Sequence, residues 1–164
     1  MEQKKIMPWT NIELEQKSDG LRTIIIDYLK IEPNSKIFLC TKQEMSIKLE
    51  EELRRKLVSK KKLDFFKTSI FPLVIGKFFS ETNEIWLIEG PGEKKSVVIH
   101  EMLHSIQVCM EHREGICDYL TYKLSKDSTS IDENTLMDWS EIERIHGITA
   151  IKKRFLLKGD CEDF

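Results

Sequence analysis

The chain has 164 residues, with 26 basic against 28 acidic side chains and a formal net charge of -2, a length that suits one domain. With 40% hydrophobic and 33% charged residues, collagenous, low-complexity and wholly disordered chains are excluded, and the near-neutral balance predicts no general attraction to nucleic acid or to an anionic membrane. No apolar run reaches the roughly 18 residues of a membrane span, and Met1-Glu2-Gln3-Lys4-Lys5 leads into no apolar core of a secretory leader.

In chain order, residues 1–10 read as a loose lead-in. Leu21, Ile24, Ile25, Tyr28 and Leu29 recur at helical spacing and predict a helix over 19–30. Glu32-Pro33-Asn34-Ser35 is a turn, and Lys36-Ile37-Phe38-Leu39-Cys40 a short buried strand. Thr41 and Glu44 form a capping box that opens a helix to about residue 59. Two apolar runs, 71–79 and 85–88, flank Ser80-Glu81-Thr82-Asn83-Glu84 and read as a β-hairpin. After a break at Glu89-Gly90-Pro91-Gly92, helices are predicted over 93–110, 114–125 and 133–157, the last interrupted near His146-Gly147. Helices and strands are segregated, which predicts α+β, with helices on one face of a small mixed sheet. The expected organisation is a single domain over 1–164, with 71–124 as its core and 131–158 as C-terminal helices.

Chemistry concentrates in His100-Glu101-Met102-Leu103-His104, an HExxH pattern. On a helix the two histidines lie one turn apart on one face, so both rings can bind one Zn²⁺ per chain. Glu101 projects beside the metal, where it can take a proton from water. The bland alternative is an amphipathic helix with two histidines on its polar rim, and a second alternative is zinc binding without catalysis. Glu101 has no evident structural task in the sequence, which favours catalysis.

A catalytic zinc site takes three protein ligands. Gln107 and Met110 stand where a metzincin would carry Gly and His, and His112 has the wrong spacing for a third histidine. A carboxylate is therefore expected, with Glu114 first and Glu133, Glu141 and Glu143 as alternatives. Asp118, one turn after Glu114, is placed to bond the far nitrogen of a ligand histidine. One continuous helix would carry Glu114 about 15 Å from His104, so the chain must reverse near Glu111-His112-Arg113. Tyr119, Tyr122, His112 and His146 are the candidate donors to an oxyanion, with Tyr122 and His146 foremost.

HExxH followed by Glu-x-x-x-Asp resembles the gluzincins, the thermolysin-like branch of zinc metallopeptidases, and the short spacing is similar to compact archaeal minigluzincins. The resemblance covers residues 71–124. It implies a zincin-like fold with HExxH on an active-site helix, zinc on His100, His104 and Glu114, and Glu101 as general base. It also implies that a C-terminal segment such as 159–164 can occupy the cleft and hold the enzyme latent, although the residues themselves favour a frayed, solvated acidic terminus.

The expected function is zinc-dependent peptide-bond hydrolysis, with the substrate held against the strand at 85–88. The partners expected are a peptide or protein substrate, no nucleic acid and no membrane. One rival is a regulatory zincin that cuts a single dedicated partner, and another a zinc-stabilised binding module. Arg54-Arg55-Lys56 and Lys60-Lys61-Lys62 suit a helix C-terminal dipole better than phosphate. Cys40, Cys109, Cys117 and Cys161 form no CxxC pair, so reduced thiols in a cytoplasmic protein are expected, with Cys109 and Cys117 as core thiols. The 20 Lys and 19 Glu against four Gln and four Asn match the bias of thermophile proteins, which an AT-rich genome also produces.

Overall fold

The structure, a computed structural model, describes residues 10–90, 95–107 and 113–156. Most of the expected lead-in, residues 108–112 with Cys109, His112 and most of the expected reversal near 111–113, and residues 159–164 with Cys161 lie outside the described residues.

Helix α1 (Asn11–Leu29) starts well before the expected boundary, because Thr10 and Glu13 close a capping box of their own. The Ser18 hydroxyl donates to Leu14 O inside the helix at 2.5 Å, so the helix is already formed before the expected start at residue 19. Strand β1 (Lys36–Cys40) leads into α2 (Lys42–Arg55), which opens on the expected Thr41/Glu44 box. A short α3 (Lys60–Phe65) continues into a π turn at Phe66–Ile70 and a 3-10 turn at Phe71–Leu73. The strand expected from residue 71 is therefore confined to β2 (Gly76–Phe79). Pro72 has no amide hydrogen to give a ladder and sits instead in the first positions of the 3-10 turn. Strand β3 (Glu84–Ile88) completes the hairpin. Then come α4 (Lys95–Ile106), α5 (Arg113–Ser125), α6 (Glu133–His146) and α7 (Ile148–Leu156). Gly147, at φ 80°, separates α6 from α7, as the sequence predicts.

The three strands form one mixed sheet in the order β1-β3-β2, with β1 parallel and β2 antiparallel to β3. Helices cover both faces rather than one. Ile85, Leu87 and Phe78 pack into the larger core with α1, α4 and α5, while Cys40, Phe79 and Ile88 meet Met45, Leu49 and Leu63 of α2 and α3 on the other side. Side chains alternate across a strand, so a short apolar run such as β3 serves both cores. Among the described residues no helix is long and apolar enough to cross a membrane.

Candidate metal centre and cleft

Residues 100–104 lie in the middle of α4, whose residues Val98, Ile99, Met102 and Leu103 are fully buried. This packing fixes the helix rotation and turns His100 and His104 toward α5. Helix α5 runs back along α4, bringing Glu114 to both histidines and Asp118 to His100. Gly115 permits the same helix to lie against α6, since a Cβ there would stand 2.9 Å from Trp139 Nε1.

The Nε2 atoms of His100 and His104 are 2.9 Å apart. Glu114 Oε2 lies 3.3 Å from His100 Nε2, and Glu114 Oε1 lies 3.3 Å from His104 Nε2. Among the described residues these three side chains form the group able to hold a metal ion, their ligand atoms all within 4.8 Å of one another. Metal–ligand bonds of about 2.0–2.1 Å in tetrahedral geometry place ligand atoms about 3.3 Å apart. The two nitrogen–oxygen distances equal that edge, and the nitrogen–nitrogen distance is slightly short, so the donor set fits zinc.

Three electron-rich atoms facing one another require a cation or a proton among them. Burial pushes the His100 ring toward neutrality, but hydrogen bonds to Asp118 and Glu114 outweigh it and push its pKa up to about 10. Hydrogen bonds from His100 and then His104 hold the Glu114 carboxyl well below the usual carboxylate range. Asp118 Oδ1 accepts from His100 Nδ1 at 3.2 Å, which leaves Nε2 of the same ring directed at the cluster.

Glu101 has a structural contact that its sequence position conceals. Its Oε2 accepts the Phe78 backbone N–H at 2.7 Å in a buried setting. The expectation that Glu101 lacks a structural task is corrected by this bond, which ties α4 to β2. Gly76 makes the close approach possible, because a Cβ there would meet Val97 Cγ1 at 2.5 Å and Leu87 Cδ2 at 2.9 Å.

The expected substrate strand is also corrected. Strand β3 is central and paired on both sides, so 85–88 has no free edge. Among the described residues, the unpaired sheet edge beside the histidines belongs to β2. Ile88 N–H donates to Ile75 O and Lys77 opposes Trp86, so by antiparallel alternation the backbone groups of Gly76 and Phe78 point outward. A cleft of about 510 Å³ runs along this edge. Val97, His100 and Glu101 line it, with residues 73–77 on one wall and Thr121 and the turn at 127–130 on the other.

The remaining candidates are placed elsewhere. Tyr122 is half-buried on α5 against the larger core, its ring 6.4 Å from that of Tyr119. His146 is the exposed last residue of α6. Helix α6 follows α5 in the same direction, Trp139 against Gly115 and Glu143 against Tyr119 and Lys123. His146, a turn beyond Glu143, therefore stands toward the end of α5 opposite to Glu114. Glu143 bonds Tyr119 and Lys123, Glu141 bonds Arg144, and Glu133 lies in the first turn of α6. Sequence reasoning missed the β2 edge, the Glu101–Phe78 bond and Thr121. Of these, only the Gly before Lys77-Phe78-Phe79 left a trace, as a residue that admits close backbone packing. No family model matches the chain, and no curated protein or solved structure matches it.

Proposed function

We propose that the chain is a small zinc-dependent peptidase of zincin type, with His100, His104 and Glu114 as the ligands of one Zn²⁺ and Glu101 as general base. The observation that carries this reading is the convergence of the three ligand atoms within 4.8 Å, with Glu101 beside His100 in the adjoining cleft. Zinc held there supplies Lewis acidity and lowers the pKa of water toward 7. Glu101 already takes the Phe78 N–H, so the outward backbone groups of Gly76 and the Phe78 carbonyl on β2 are those that suit an extended peptide added as a further strand. Glu101 keeps Oε2 on the Phe78 amide, so its other oxygen accepts the proton of the attacking water and returns it to the leaving nitrogen. Asp118 holds His100 in the ligating tautomer.

The Glu101–Phe78 bond also favours a second reading, a zinc-stabilised module in which Glu101 is structural. Incubation of the zinc-loaded protein with a peptide library, followed by mass spectrometry, separates the two. Cleavage that stops on chelation and returns with zinc supports the peptidase; intact peptides at full zinc occupancy reject it in favour of the module.

A further inference from the structure

His100 and His104 are held from behind by different chemistry. Behind His100 stands the Asp118 carboxylate. Behind His104 stands a thiol: Cys117 Sγ lies 3.5 Å from His104 Nδ1 and donates to Gln107 Oε1 at 3.4 Å. Cys117 is fully buried, one residue before Asp118 on α5, and Gln107 directly follows α4.

We infer that Cys117, held by Gln107, is the positioning residue of His104. Because Gln107 takes the thiol hydrogen, the sulfur presents its lone pairs to the ring and accepts the Nδ1 proton. A ring with its proton on Nδ1 carries a bare Nε2, the nitrogen that faces Glu114 and His100. The polarity runs one way along the chain from His104 Nδ1–H to Cys117 S–H to the Gln107 carbonyl. A neutral group suits this place. Glu101, Glu114 and Asp118 already bring three carboxylates to the histidines, and a fourth, fully buried, would add a further desolvation cost. The thiol orients the ring without adding charge.

The inference rests on the metal reading, and its test separates the two. Zinc affinity is measured by competition with a chromophoric chelator for the wild type, Cys117→Val, Cys117→Ser and Gln107→Leu, with His104→Ala as control. Val removes the acceptor but adds a methyl group at a fully buried site, so packing is judged on Gln107→Leu and on the ring tautomer, which a purely packing role leaves unchanged. Positioning predicts a loss of about 10–100-fold in Cys117→Val, recovery of most of it in Cys117→Ser, and a smaller loss in Gln107→Leu. Nitrogen-15 NMR of the histidine rings in metal-free protein at mildly alkaline pH supplies a readout independent of metal. His104 is expected as the Nδ1–H tautomer in the wild type and as a mixture in Cys117→Val. Wild-type affinity with an unchanged tautomer in Cys117→Val overturns the inference, as does a wild-type ring protonated on Nε2. If Cys117→Val fails to fold, unchanged affinity in Gln107→Leu overturns it. Full zinc stoichiometry in His104→Ala overturns the metal reading instead, and the tautomer alone then decides whether the thiol orients the ring.

Discussion

At the scale of single residues, the candidate centre is a set of short contacts with separable roles. Glu114 is the proposed ligand on α5, and its side chain is 72% exposed, so its removal should cost metal binding and little else. Zinc titration is expected to rank Glu114→Ala far below Glu133→Ala and Glu141→Ala in affinity. Equal affinities across the three would remove Glu114 from the site. Asp118→Asn keeps a similar shape but lets an amide nitrogen face His100 Nδ1. A loss of about 10–100-fold in zinc affinity is expected, read by the same titration.

At the scale of elements, two close approaches position these residues. Gly76 lets β2 lie on α4, where a Cβ would stand 2.5 Å from Val97 Cγ1. Gly76→Ala must push the strand outward or repack Val97 and Leu87, a cost of about 1–3 kcal/mol, measurable by denaturant unfolding. The same shift loosens Glu101 from the Phe78 amide, so activity should fall with stability. On the other side of α5, the Tyr119 hydroxyl donates to Glu143, which also binds Lys123 at 3.0 Å. Burial, then the Glu143 bond, push the Tyr119 pKa from 10.0 up to about 12. The folded state thus retains a proton that the unfolded state releases first. The resulting stability is present below pH 10 and is lost as pH rises toward 12. Across that window the wild type should lose more unfolding free energy than Tyr119→Phe; parallel losses would show that the seam does not hold the phenol proton. Much of this level was legible in the sequence. The Thr41 box, the break at Gly147 and the HExxH helix follow from local rules of capping and periodicity. Strand order does not, because the partners of β3 are set by contacts distant in the chain. Hence the free edge fell to β2 rather than to 85–88. Thr10 and Glu13 carried a capping signal equal to that of Thr41 and Glu44, but the apolar periodicity after Gly20 drew the boundary inward.

At the scale of the whole molecule, the elements of the candidate site meet on the larger core. Helices α4 and α5 share the larger core, while β2 contributes Phe78 to that core and Phe79 to the smaller one. A metal bound between α4 and α5 should therefore stabilise the native state as a ligand that the unfolded chain binds poorly. At zinc about 1,000-fold above Kd the gain is about 4 kcal/mol, seen as a concentration-dependent rise in Tm that His104→Ala lacks. An unchanged Tm at saturating zinc would mean that the cluster does not bind the metal. The HExxH register pointed to two of the three proposed ligands and to the helix that carries them. Glu114 required the reversal between α4 and α5, and the cleft required the sheet order, neither of which a local pattern encodes.

The central claim is that Glu101 acts on water rather than only tying α4 to β2. Gln keeps an oxygen able to accept the Phe78 amide hydrogen but cannot take a proton, so Glu101→Gln separates the two roles. The decisive measurement is the rate of peptide hydrolysis by wild type and Glu101→Gln at equal zinc occupancy, fixed by elemental analysis. The account predicts full occupancy in both and a rate about 10²–10⁴-fold lower in Glu101→Gln. Hydrolysis by Glu101→Gln at the wild-type rate would contradict it.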